Sequence, residues 1–77
     1  MERKPYYFTC GQSHRHVTDE GVIWDKDSVI QVTADSAFDA RNYVLNRFGN
    51  KWAFQYYDLK GLGLQLYYKG IVLKIDC

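Results

Sequence analysis

The chain reads as an α+β domain, in which one amphipathic helix packs on one face of a small, mostly antiparallel sheet of four to five strands. Three observations predict this. Stretches of β-branched and aromatic residues with period-two alternation stand both before and after one segment of helical period. That segment sets Ala37, Ala40, Val44, Leu45 and Phe48 on a single stripe. The 77 residues, with no repeat, linker or low-complexity run, make a single domain over 1–77.

Taken in order, Tyr6-Tyr7-Phe8-Thr9-Cys10 predicts a strand over about 5–11, because these side chains suit a pleated, half-buried surface. Gly11 and Ser13 loosen the chain, and His14 to Val17 resume it. Thr18-Asp19-Glu20-Gly21 has hairpin-turn chemistry, with Gly21 free to take positive φ, and Val22-Ile23-Trp24 is the returning strand. Asp25-Lys26-Asp27 makes a polar loop. The strand from Ser28 to Thr33 is the clearest in the first half, with Ile30 and Val32 on one face and Gln31 and Thr33 on the other.

The helix is predicted over about 36–48. Asp35 or Ser36 can cap it, and Ser36 with Asp39 resembles a capping box. Gly49 stands where a left-handed closing residue is wanted, and Arg47 complements the helix dipole. Alternation then puts Trp52, Phe54 and Tyr56 on one face of a strand over 52–57. Residues 59–66 read two ways: Gly61 and Gly63 as a loop, Leu62, Leu64 and Leu66 as something partly buried. Tyr67 to Gly70 predicts a turn, and Ile71 to Ile75 a last strand with Ile71, Leu73 and Ile75 inward and Lys74 outward.

Composition narrows the classes. A chain 47% hydrophobic and 25% charged is built to fold rather than stay disordered. A domain this short buries only about 60% of its unfolded surface, and the seven Tyr, four Phe and two Trp are the compensation. No apolar run approaches the roughly 18 residues of a membrane span. A net charge of +1 argues against nucleic-acid binding by bulk electrostatics, although Arg47 to Tyr57 and Tyr67-Tyr68-Lys69 interleave aromatic and basic residues. Met1 to Pro5 leads into no apolar signal segment, so a cytoplasmic protein with Cys10 and Cys77 reduced is expected; one long-loop disulfide is the alternative.

No Gly-x-Ser-x-Gly, P-loop or Gly-x-Gly-x-x-Gly pattern is present, and the expectation is a protein that is not an enzyme. Cys10 with His14 or His16 could be drawn as a thiol–imidazole pair, but neighbours in one strand offer no oxyanion hole. Asp19, Glu20 and Asp25 match no calcium loop. If all strands join one sheet, Tyr7, Thr9, Gln31, Thr33, Gln55, Tyr57 and Lys74 share the face away from the helix. That face could contact a protein, or it could be solvated and held by ordinary cross-strand pairs. Tyr7, Thr9, Gln12, His14, Arg15, His16, Gln55 and Tyr57 are the candidate protein-contact residues.

The alternative chemistry lies in the cluster Cys10-Gly11-Gln12-Ser13-His14-Arg15-His16. Histidines at i and i+2 of an extended chain point to one side, and Cys10 has the same parity, so Cys10, His14 and His16 could share a zinc ion. A structural zinc needs a fourth ligand, for which only Asp19, Asp25, Asp27 or Cys77 offers itself. Failing that, two solvated hairpin histidines and no cofactor are expected.

Tyr6 to His16, Trp24-Asp25-Lys26-Asp27 and Phe48-Gly49-Asn50-Lys51-Trp52-Ala53-Phe54-Gln55-Tyr56 together resemble a group of small phage and prophage proteins. In that group a Tyr/Phe-rich strand runs into Gly-Gln-x-His-x-His, and an Asp-Lys-Asp loop, a helix and a Phe-Gly-x-Lys-Trp-x-Phe-Gln-Tyr strand follow. The resemblance covers about 6–57. It implies a protein of a mobile element acting in the bacterial cytoplasm, and small proteins of this kind often bind and block a host protein, including defence effectors. The expected function is therefore a non-enzymatic protein-binding module acting on a bacterial host protein. The alternatives are a metal- or nucleic-acid-binding regulator using Cys10, His14 and His16, and self-assembly, including a homodimer, through edge strands.

Overall fold

The computed structural model describes residues 3–12, 14–63 and 67–77. In chain order the elements are β1 (Lys4–Thr9), β2 (His16–Val17), β3 (Ile23–Trp24), β4 (Ser28–Ala34), α1 (Ala37–Phe48), β5 (Phe54–Tyr56), α2 (Leu59–Leu62) and β6 (Gly70–Asp76). Four strands form one sheet in the order β5-β1-β4-β6, and β2 with β3 forms a separate two-stranded sheet. β1 is antiparallel to both its neighbours, while β4 and β6 run parallel. The fold is α+β with one main helix, as expected, but the hairpin stays outside the main sheet.

Local chemistry accounts for the ends of α1. Ser36 Oγ accepts the Asp39 N–H at 3.1 Å, and Gly49, at φ 72°, donates its N–H to Leu45 O. In the hairpin turn, Gly21 takes φ 83° and donates to Thr18 O at 2.9 Å. The turn at Tyr67 closes through the Gly70 N–H on Tyr67 O at 2.8 Å. Of the ambiguous stretch, Leu59–Leu62 forms a single helical turn; Leu64 and Leu66, like Ser13, lie outside the described residues.

Because side chains alternate across a strand, β1 feeds two cores at once. Tyr6, Phe8 and Cys10 point to the α1 side and pack with Trp24, Ile30, Val32, Ala34, Ala40 and Val44. Tyr7 points the other way and packs with Val29 and Leu62, bordered by Tyr56, Tyr67 and Ile71. The helical stripe reads correctly at Ala40 and Val44; Tyr43 joins the core margin, and Leu45 remains half-buried outside it.

β4, β5 and β6 all point the same way. The chain crosses from β4 over α1 to β5, then returns through α2 to β6 on the opposite face. Opposite directions on opposite faces give both crossovers the same hand, consistent with the single hand that strand twist favours.

Two face assignments need correction, and both fail at irregularities. In β6, Ile71 pairs with Val29 but Leu73 pairs with Ile30, so Val72 is one residue too many. This bulge flips the parity and sends Ile71 to the α2 side while Leu73 and Ile75 stay on the α1 side. Before β5, Ala53 and Phe54 both face Thr9, since the Ala53 N–H donates to Thr9 O and Phe54 is the register partner. Trp52 therefore lies on the α1 side, edge-on to Phe8 at 5.2 Å, whereas Phe54 and Tyr56 share the side of Thr9 and Tyr7.

Candidate functional site

The sheet face expected to be open is closed where the contact surface was expected. Tyr7 is 6% exposed and Thr9 2%, with Leu62 and Tyr67 packed in the core that Tyr7 shares. Neither can present a side chain to a partner. Gln31, Thr33 and Lys74 do lie on that face, with Gln31 in register with Lys74 across β4 and β6 and Thr33 with Asp76. Gln55 and Tyr57 do not. Gln55 is the partner of Phe8, so it shares the α1 side, where its Nε2 donates to Ala37 O at 2.9 Å. Tyr57 stands edge-on to Tyr6 at 5.9 Å.

That displacement builds a different surface. The Gln55–Ala37 hydrogen bond ties the edge strand β5 to the first turn of α1 and brings Tyr57 beside the start of β1. Lys4, Pro5, Tyr6, Ala37 and Tyr57 line a groove of about 380 Å³ there. Phe38, next to Ala37, is 69% exposed, Tyr57 is 69% exposed, and Phe54 on the opposite side of β5 is 63% exposed. Along the helix from Phe38, the Arg41 guanidinium lies over the Trp52 ring at 5.3 Å. The result is a rim of aromatic side chains with Lys4 and Arg41 beside it. Tyr, Trp and Arg are the residues that most often anchor protein interfaces.

The hairpin residues part company. Gln12, His14 and Arg15 line a polar depression of about 240 Å³ with Asp25 and Lys26. Asp25 is held below its ordinary carboxyl range, first by the Lys69 ammonium (Nζ–Oδ2 2.9 Å) and then by the Asp27 N–H. His16 instead stacks on Trp24 at 5.2 Å, meets Phe48 edge-on, and donates from Nε2 to Lys51 O at 2.6 Å. With the Glu20–Arg47 ion pair at 2.6 Å, His16 fastens the small sheet to the end of α1. It serves packing here rather than an exposed contact.

Cys10 is fully buried, and its Sγ–H points to Trp24 O at 3.5 Å. Cys10, His14 and His16 therefore face three different environments, and among the described residues no group of three His, Cys, Asp or Glu side chains stands together as a metal set. Both cysteines are free thiols, with Cys77 exposed. Burial, helped by the negative charge of Asp25, pushes the Cys10 thiol from 9.0 up to about 11. In the native protein Cys77 is expected to react with a thiol reagent at pH 8 and Cys10 only after denaturant is added, as counted by mass spectrometry. The raised value also has a sign. The thiol stays neutral in the folded chain while the unfolded chain ionises, so its contribution is complete below pH 9 and is lost as pH rises toward about 11. The Cys10→Ala variant should show a shallower alkaline loss of stability over that window, and identical slopes would mean that the thiol makes no such contribution.

Compared with protein-family models, with curated proteins and with solved structures, the chain matches none of them. The rim has to be read from its own residues. Sequence reasoning missed Phe38 and Phe54. Phe38 carried a signal, being an aromatic residue one step off the apolar stripe of an amphipathic helix. Phe54 carried none, since its exposure depends on β5 lying at the sheet edge.

Proposed function

We propose that this chain is a non-enzymatic protein-binding module whose contact surface is the aromatic rim along β5, and that its partner is a bacterial host protein. The observation that carries the reading is the exposure of Phe38, Tyr57 and Phe54 around one short edge strand, three of the four aromatic side chains that stand well out of the surface, the fourth being Tyr68 in the turn before β6. Large exposed apolar groups gathered beside a groove mark interaction sites more often than scattered ones do. The partner class rests on the resemblance to small phage and prophage proteins, among which binding and blocking of a host protein is common.

The experiment is recovery of a stoichiometric partner from bacterial lysate, repeated with Phe38→Ala and Tyr57→Ala. Anchor residues of this kind cost about 2 kcal/mol or more on truncation, so each variant should weaken binding at least about 30-fold with an unchanged circular dichroism spectrum. Undiminished recovery by both variants would remove the rim from the proposal. Recovery of no protein by the parent chain would remove the function.

A further inference from the structure

β6 carries a second surface, independent of the rim. It is the other edge of the sheet, seven residues long against three in β5, and among the described residues no strand pairs with its outer side. Val72, Leu73 and Ile75 pack at the margin of the α1-side core and remain partly exposed. A further strand laid along β6 would finish covering them. Exposed edges of this length are ready templates for pairing, and proteins commonly blunt them with a lysine or a bulge. Both devices are present, but the bulge at Val72 falls in the first half of the strand and leaves the segment after Leu73 regular.

In that segment the polarity is self-complementary. The Cys77 N–H donates inward to Thr33 O, so by alternation Lys74 and Asp76 turn their own N–H and C=O groups to the outer edge. These two residues also project their side chains to one face, opposite α1, in register with Gln31 and Thr33. An antiparallel copy of the same strand, related by a two-fold axis through Ile75, sets Lys74 opposite Asp76 twice. Each such pair is one in which both residues face their ladder partners. Sliding the copy by one residue mismatches the main-chain groups, and sliding it by two sets Lys74 against Lys74. The Arg3 guanidinium already donates to Asp76 Oδ1, to Thr33 O and to Cys77 O, which steadies this end of the strand and leaves Asp76 Oδ2 for the incoming lysine.

We propose that β6 pairs with β6 of a second copy of this chain, in the antiparallel register centred on Ile75, to make a continuous eight-stranded sheet with two Lys74–Asp76 ion pairs across the junction. The same charges that would repel a mismatched edge select this one partner.

The test is sedimentation equilibrium at concentrations on the order of 0.1–1 mM, the range suited to an interface at the small end of the size classes. The parent chain should approach twice its 9.1 kDa mass. Lys74→Asp alone and Asp76→Lys alone should each stay at the single-chain mass, because each sets like charges together. Mixed in equal amounts, the two variants should regain the doubled mass, since the aspartate introduced in one chain then meets the lysine introduced in the other, and the native Asp76 of the first meets the native Lys74 of the second. A parent chain that stays at single mass throughout, leaving the edge to a foreign strand or to nothing, overturns the proposal. So does self-association by either variant alone, or a mixture that fails to associate while both variants keep the parent circular dichroism spectrum.

Discussion

Trp24→Ala is expected to cost about 4 kcal/mol, which approaches the whole stability of a domain this small (on the order of 4–12 kcal/mol). Trp24 is fully buried, and three neighbours rest on it: the His16 ring stacked at 5.2 Å, the Phe48 ring edge-on at 5.0 Å, and the Cys10 thiol on its carbonyl. Truncation would free the β2–β3 sheet as well as open a cavity. The variant should therefore show little native circular dichroism, or a urea midpoint near zero. Trp24→Phe separates packing from polarity. Among the described residues the Trp24 Nε1–H is buried without a hydrogen-bond partner, a group whose desolvation is uncompensated. Phenylalanine removes that donor and keeps most of the stack, so a cost below about 1.5 kcal/mol is expected. Equal losses for the two variants would mean that the indole nitrogen is satisfied after all.

Tyr7→Ala is the second large effect, expected at about 3 kcal/mol. Tyr7 lies in the second core with Val29 and Leu62, and these three are what hold α2 against the sheet. Urea unfolding should show the loss directly, and hydrogen exchange should be fastest to rise at 59–62. The contrast with Tyr57→Ala is sharp, because Tyr57 is an exposed ring whose loss should leave the midpoint almost unmoved. A Tyr7→Ala variant as stable as the parent would mean that the second core contributes nothing to folding.

The elements were legible wherever one local rule sufficed. Ser36 and Gly49 bound the helix by capping chemistry, and Gly21 closes the hairpin by its accessible φ. Ile30 and Val32 share a face because β4 pairs regularly along that stretch of β1. What failed was every inference that carried parity past an irregularity. Ile71 changes sides because Val72 is an extra residue, and Phe54 and Tyr56 because Ala53 and Phe54 both face Thr9. Neither bulge has a mark of its own in the sequence. The burial of Tyr7 was hidden for another reason: it depends on Leu62 and Tyr67 packing against the sheet beside it, a long-range event that no short window reports. The expected contact surface was divided with the faces: Tyr7 and Thr9 are buried, Gln55 and His16 are engaged in packing contacts, Tyr57 stands on an exposed rim, and Gln12, His14 and Arg15 line a separate depression.

The order of strands has a consequence for how the chain must assemble. β4, at the centre, is flanked by β1 from one side of the sequence and by β6 from the other, and Ser28 meets Gly70, a gap of 42 positions. No contiguous half of the sequence contains a finished sheet. During synthesis, β1, β4 and α1 emerge with one long flank of β4 bare and the second core unbuilt, so cooperative closure must wait until β6 has been made. Pairings at such separation pay their loop entropy before they are rewarded, which makes folding slower than the small size suggests. Two fragments cut in the exposed loop at Gly49–Lys51 should each be unstructured alone and fold only when mixed.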